Sequence, residues 1–233
     1  RGAGVMNDGD INSIKRVQMC LQGLLNVIAS HDIYDRISGN VKGLKLIFTF
    51  LEEDIETPKF TYSDDKEIVE VRRLTLGVIN SLAGNKAVAD GIASMKLVGT
   101  LLHVMRRHNV LSKVGNENAR QSCLEIILAL CSSSSVVGEV LKLGGLIDCL
   151  AFLSQNVPEN IRVLSARILC KIIFDTMHGA KAMVTLSRII PPGLVHVIRE
   201  DPRGENTVRT YDRDHESPEL IWNKVTRKTL RTY

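Results

Sequence analysis

The sequence contains few aromatic residues and few prolines. Only 4% of its 233 residues are Phe, Trp or Tyr and six are proline, whereas 44% are hydrophobic, with many Leu, Ile and Val. Because sandwiches and barrels draw heavily on aromatic residues, this composition favours helices. The length allows one or two compact domains, or a single array of repeats.

Features of membrane insertion and export are missing as well. No apolar run approaches the roughly 18 residues that span a bilayer, and the chain has neither a signal-like start nor an Asn-x-Ser/Thr site. Because the first residue is Arg1 and not Met, we expect a fragment of a longer protein, so the absence of a targeting signal here says nothing about the whole protein.

The cysteines are odd in number and form no Cys-x-x-Cys pair. All five lie among aliphatic residues, at Cys20, Cys123, Cys131, Cys149 and Cys170. This pattern predicts buried free thiols in a reducing compartment.

The net charge of +4 resides in the last twelve residues, 222–233, which hold four cations and no acid. The rest of the chain is therefore neutral overall. Since a nucleic-acid-binding protein spreads a basic stripe over one face, we predict no nucleic-acid partner. The basic tail allows a weak peripheral contact with a membrane.

Four long amphipathic segments share one plan. They are Lys15–Ser30, Glu67–Gly84, Glu117–Ser132 and Pro158–Asp175. Aligning their ends superimposes Ile28, Leu82, Leu130 and Ile173, at spacings of 54, 48 and 43 residues. A short helical piece, a turn and a second amphipathic piece follow each one, which superimposes Leu44, Leu97, Leu146 and Leu194. The period is close to the roughly 40–47 residues of armadillo and HEAT repeats.

The segment Lys142–Leu153 resembles the armadillo signature, in which a glycine turn leads into a helix with Leu at every third or fourth position. We therefore predict an all-α fold, a right-handed alpha-alpha superhelix (armadillo-like solenoid) of about four repeats plus a C-terminal helix. HEAT repeats remain the alternative. Residues 1–203 would form the array, with an acidic loop inserted at 52–67, and residues 204–233 a charged link and a C-terminal helix.

Catalytic patterns are absent from the sequence. His103 and His108 are five residues apart and so do not share a helix face as a zinc pair would. Gly2 and Gly4 match the first two glycines of a dinucleotide-binding fingerprint, but Asn7 stands where the third glycine is required, so the fingerprint fails. We predict no enzyme, no metal site and no cofactor.

A row of asparagines on the third helices holds extended peptides in some armadillo proteins. Asn26 and Asn80 stand two residues before the aligned helix ends, but Leu128 and Lys171 occupy the equivalent places in the next two segments. The accompanying tryptophans are also absent, so importin-like peptide binding is disfavoured. A folded surface or a helix is the expected ligand.

Three arginines are candidates to contact an acidic partner. We expect them on the polar sides of the groove helices, at Arg72, Arg73 and Arg120. The alternative interpretation is an ordinary solvated face.

The single tryptophan, Trp222, lies in the segment Ser217–Asn223. Leu220, Ile221 and Asn223 surround it, and the tryptophan is either a core anchor or an exposed hot spot. This Ile-Trp-Asn segment is similar to the IWN segments of the very large endosomal J-domain proteins of receptor-mediated endocytosis. Residues 177–181, 191–192 and 199–202 also resemble the stretch that leads into one such segment.

The resemblance implies a cytoplasmic protein bound peripherally to early endosomes. It implies a J domain that recruits Hsp70, and partners of the sorting nexin and retromer type in endosomal recycling. None of the six histidines is followed by proline, so the His-Pro-Asp motif of a J domain is absent. We expect a non-catalytic scaffold that flanks the J domain and does not itself bind Hsp70.

Two other functions stay open at this point. One is an armadillo-type adaptor of a cytoskeletal or transport pathway. The other is a membrane or nucleic-acid binder that uses the basic tail.

Overall fold

The structure, a computed structural model, describes residues 8–28, 40–51, 66–107, 115–154 and 156–214. These residues form α-helices joined by turns, with no strand in any of the five ranges. The predicted all-α class is confirmed for this part of the chain. The chain divides into two compact units, Arg1–Leu130 and Cys131–Tyr233.

The first unit is organised around one long central helix. Its helices are α1 (Asp8–Ile28), α2 (Val41–Thr49), α3 (Lys66–Leu82), α4 (Lys86–Ser94), α5 (Val98–Arg107) and α6 (Gly115–Leu130). Helix α3 packs against α1, α2 and α6, and α5 also packs against α6. Apolar side chains on the facing sides of these helices make the core of this unit.

The second unit has the same kind of organisation around α9. Its helices are α7 (Ser134–Lys142), α8 (Gly145–Ala151), α9 (Glu159–Ile173), α10 (Gly179–Ser187), α11 (Pro192–Glu200) and α12 (Glu205–Asp214). Helix α9 packs against α8, α10, α11 and α12. Ten of its fifteen residues are buried, as expected for a helix covered on most sides.

Side chains and backbone geometry at the helix starts explain several boundaries. The Asn85 side chain accepts hydrogen bonds from the amides of Ala87 and Val88 and so caps α4. Pro192 stands in the first turn of α11, where a missing N–H costs little. Gly144 adopts φ 80° just before α8, a left-handed conformation that favours glycine.

The four residues that the sequence alignment superimposed each end a long helix. They are all buried, at Ile28, Leu82, Leu130 and Ile173. The second aligned set is buried too, at Leu44, Leu97, Leu146 and Leu194. From α3 onward, a long helix of 17, 16 or 15 residues is followed each time by two shorter ones. The four predicted long helices, and the shorter helices that follow the second, third and fourth of them, are confirmed.

The link predicted after residue 203 is instead helical over Glu205–Asp214. Helix α12 packs against α9 and α11 and buries Val208 and Tyr211. The Asp201 carboxylate accepts hydrogen bonds from the amides of Gly204 and Thr207, which begins the helix. Glu205, Arg209 and Arg213 are exposed on α12, and such a density of charge is typical of a link when only the sequence is considered. Residues 215–233, and 52–65 of the acidic insertion, lie outside the described residues.

Within the described ranges, no single helix is long and apolar enough to cross a bilayer. Helices α4 and α5 satisfy the length and composition of a span only when they are taken together, and the pair is bent by 82°.

Candidate interaction surface

Helices α1 and α3 meet closely at one point in the first unit. A methyl group added at Gly77 would lie 3.5 Å from the Leu25 side chain, so Leu25 of α1 packs against α3 at this point. Asn26 directly follows Leu25, and Asn80 lies about one helical turn beyond Gly77. Both asparagines are exposed, so the two predicted amides are accessible on helices that pack against each other.

Apolar side chains accompany these amides on the same two helices. Met19 is 75% exposed, Val27 39% and Val69 47%. We call the set the α1–α3 surface: Met19, Asn26, Val27, Val69, Arg73 and Asn80. An exposed mixture of amides and large apolar groups is typical of protein-binding surfaces.

The Asn26 side chain is held in place by its own helix. Gln22 Nε2 donates a hydrogen bond to Asn26 Oδ1 at 3.1 Å, which leaves the Asn26 amide nitrogen as the free end of the pair. In the third and fourth long helices, Leu128 and Lys171 stand at the corresponding positions and are half-buried.

Arg73 is exposed and pairs with Glu70 on the same helix. Its Nε and Nη2 atoms donate to the two carboxylate oxygens of Glu70, at 2.7 and 2.6 Å. This hydrogen bonding lowers the pKa of Glu70 and raises the pKa of Arg73. Because both side chains are well exposed, the pair adds little stability, and an acidic group on a partner can compete for Arg73.

The other two arginines are less accessible than the sequence predicted. Arg72 is half-buried, and desolvation lowers the pKa of its guanidinium. Arg120 is only 8% exposed, so its expected position on an open polar side is wrong. Both arginines stand ten positions before the end of their helix, so they occupy equivalent places in α3 and α6. The aliphatic part of an arginine side chain at such a place can cover neighbouring apolar groups.

The exposed thiol of Cys20 also differs from the prediction. Cys20 lies on α1 beside Met19, whereas the remaining four cysteines are buried, and all five are free. The burial of the four agrees with the sequence. Cys20 differs because its position falls on the outer side of an amphipathic helix.

The second unit contains an open cleft of about 440 Å³ between α11 and α12. Glu200, Asn206, Arg209 and Arg213 contribute polar groups to its lining. The sequence did not predict this cleft, because α12 was expected to be a link. In the part of the chain that the structure describes, no three His, Cys, Asp or Glu side chains are grouped so as to hold a metal ion.

Comparison with known proteins identifies a relative of this helical chain. No protein-family model matches it. The chain is similar to DnaJ homolog subfamily C GRV2 from Arabidopsis thaliana, with 29% identity over an alignment of 169 residues, and the match covers 69% of the chain. It is a distant homologue of that protein. The chain spans only 6% of the length of this relative.

The similarity agrees with the J-domain family that the C-terminal segment indicated. The segment itself stays a prediction, since Leu220, Ile221, Trp222 and Asn223 lie outside the described residues. Of the predicted contact residues, Asn26, Arg73 and Asn80 are exposed, Arg72 is half-buried and Arg120 is buried.

Proposed function

We propose that the chain is a non-catalytic protein-interaction scaffold within a J-domain co-chaperone of endosomal trafficking and recycling. The observation that carries the proposal is the similarity to a DnaJ homolog over 69% of the chain. In this proposal, Hsp70 is recruited by another part of the whole protein, because these 233 residues contain no His-Pro-Asp motif.

The architecture that we propose is an armadillo-like right-handed superhelix of about four repeats. Three times in succession, the chain runs from a long helix to two shorter helices. A unit of three helices with a period near 40–47 residues is the pattern of armadillo repeats. This order favours armadillo over two-helix HEAT units. Such arrays bind partners along extended surfaces of their helices.

The α1–α3 surface is our proposed contact with the partner. Two exposed amides, three exposed apolar side chains and one arginine supply directional hydrogen bonds and apolar area on two helices that pack against each other. By the family resemblance, the proposed partner is a protein of the sorting nexin or retromer type. The proposed location is the cytoplasmic side of early endosomes.

Direct binding to a purified sorting nexin tests this proposal. The 233-residue chain is immobilised, and its affinity is compared with that of a triple variant, Asn26→Ala, Arg73→Glu and Asn80→Ala. We expect the variant to bind at least about tenfold more weakly, since truncation at an interface centre costs on the order of 1–2 kcal/mol. Lys86→Glu is the control, because it changes an exposed charge on α4 and should leave the affinity unchanged.

Two outcomes count against the proposal at different levels. A wild-type chain that binds no sorting nexin or retromer subunit contradicts the trafficking role. Binding that the triple variant retains contradicts the α1–α3 surface but leaves the role intact.

A further inference from the structure

The exposed large apolar residues of the second unit are concentrated in one short stretch. Among the described residues of that unit they are Phe174, Met177 and Val184, which are 59%, 74% and 54% exposed. All three follow directly after α9 or lie in α10. Scattered apolar residues on a surface need no explanation, but a local group of them marks an interaction site.

The turn before α10 is fixed by the Asp175 carboxylate. It accepts hydrogen bonds from the amides of Met177 and His178, at 3.1 and 2.7 Å, and from the Ser134 hydroxyl at 2.5 Å. The amide of Gly179 donates a hydrogen bond of 2.9 Å to the carbonyl oxygen of Asp175. The two residues are four positions apart, as in the hydrogen bonds of an α-helix. Met177 is therefore presented by a defined backbone that continues into α10.

Four exposed residues follow at helical spacing from this point. We call them the α10 stripe: Met177, Lys181, Val184 and Arg188. Their separations of four, three and four residues keep them on one side of the helix. The opposite side buries Ala182 and Leu186, so the stripe stands on a packed helix.

The stripe is positively charged without compensating acids nearby in sequence. Residues 176–199 contain three Lys and Arg residues and no Asp or Glu. The nearest acid, Asp175, is already engaged by three hydrogen-bond donors. Apolar and basic side chains therefore alternate along the exposed side of α10, from the turn before it to the residue after it.

We propose that the α10 stripe is a docking surface for an acidic amphipathic helix of a partner protein. Met177 and Val184 contact the apolar side of that helix, and Lys181 and Arg188 pair with its flanking acids. Helices bind one another through anchors at this three- and four-residue spacing, and methionine adapts to different partners. The inference rests on the proposed scaffold function, but it uses a surface separate from α1 and α3.

An anionic membrane also combines negative charge with an apolar interior, but it is the weaker candidate for the α10 stripe. Segments that bind anionic lipids through charge carry clusters of about four to eight Lys or Arg residues. The stripe presents two cations, and its apolar residues are spaced for a helix side and not clustered for insertion. The charge count therefore favours the acidic helix.

Methionine methyl NMR on the 233-residue chain tests the proposal residue by residue. The chain has six methionines, of which Met177 reports on the stripe and Met19 on the α1–α3 surface. The probe is a designed amphipathic peptide of about 18 residues, long enough to be helical, with leucines on one side and glutamates on the other. A second peptide carries lysines in place of the glutamates.

We expect the acidic peptide to shift the Met177 methyl signal and leave Met19 unchanged, and the basic peptide to shift neither. Reversing two charges, Lys181→Glu with Arg188→Glu, should weaken the acidic peptide at least about tenfold and reverse the preference between peptides. Arg203→Glu with Arg209→Glu reverses the same number of exposed charges elsewhere in the unit and should change little.

Three results would overturn the proposal. The first is that the acidic peptide does not bind, and the second is that it shifts the Met19 signal and not the Met177 signal. The third is that the chain does not bind the peptide but binds vesicles with about one fifth phosphatidylserine through Lys181 and Arg188. Sorting nexin binding is measured on the same samples. If it persists while the stripe binds nothing, the stripe fails and the proposed scaffold function stands.

Discussion

The guanidinium of Arg162 in α9 donates a hydrogen bond to the carboxylate of Asp212 in α12, although fifty residues separate them. The Nε atom of the same arginine donates to the Leu153 carbonyl at 2.9 Å. Arg162 is buried, at 7% exposure, so its charge depends on these two acceptors. The Arg162 side chain thus connects α9 to α12 and to the segment that follows α8.

Asp212→Ala should therefore destabilise the second unit. Removing the partner leaves a buried cation uncompensated, and we expect a loss of about 2 kcal/mol, less than for a fully buried pair because the Asp212 side chain is 35% exposed. Urea unfolding followed by circular dichroism measures the loss, and faster hydrogen exchange in Glu205–Asp214 locates it. Arg209→Ala, an exposed change on the same helix, is the control. Equal effects of the two variants would contradict the role of Arg162.

Two glycines of the second unit should not tolerate a side chain. Gly204 has φ +82°, and a Cβ there would stand 2.5 Å from the Val163 carbonyl oxygen. A Cβ at Gly179 would collide with the carbonyl oxygen of Ile173. We expect Gly204→Ala and Gly179→Ala each to cost about 2 kcal/mol or more.

Gly193→Ala is the matched control for these two changes. No heavy atom lies within 4 Å of a Cβ added at Gly193, so the substitution should be neutral or slightly stabilising. The three urea midpoints are compared directly. A Gly204 variant as stable as the Gly193 variant would contradict the close packing of α12 on α9.

The helices of this protein could be predicted from the sequence because their information is local. Ile28, Leu82 and Leu130 were aligned by periodicity alone, and each proves to end a long helix. Burial of polar side chains could not be predicted in the same way. Arg120 and Arg162 are charged, which predicts a solvated position for each, and only three-dimensional packing shows that both are buried.

The two candidate surfaces differ in the same way, since residues of one could be predicted from the sequence and the other could not. Asn26 and Asn80 were predicted from their positions in the repeat, and both are exposed as a contact requires. The α10 stripe was not predicted, because Met177 lies in a turn before the helix begins. Only the hydrogen bonds around Asp175 show that this turn continues the helical register.

One cysteine should react in the folded protein. Cys20 is exposed, whereas desolvation raises the pKa of Cys123 and Cys131 to about 12, so these buried thiols stay protonated and unreactive at neutral pH. Burial also raises the pKa of Cys149 and Cys170. Ellman's reagent should titrate one thiol in buffer and all five in denaturant. Cys20→Ser should abolish the native reaction, and a persistent rapid reaction in that variant would contradict the burial of the others.

The turn that presents Met177 should lose stability in acid. Desolvation by burial raises the pKa of Asp175, but hydrogen bonds from the Ser134 hydroxyl and from the amides of His178 and Met177 outweigh it, so the pKa lies below its ordinary value of 3.8. A lowered pKa means that the ionised carboxylate stabilises the folded state. This contribution is complete above the ordinary value and is lost as the pH falls through the lowered one.

We therefore expect Asp175→Ala to cost about 1 kcal/mol at neutral pH and to remove part of the fall in stability below pH 3.8. Ser134→Ala, which deletes one of three donors, should give a smaller loss at neutral pH. Ser135→Ala is its exposed neighbour and the control. Urea midpoints collected over a series of pH values decide the matter: if the Asp175 variant keeps the full acid dependence of the wild type, another carboxylate is responsible for it.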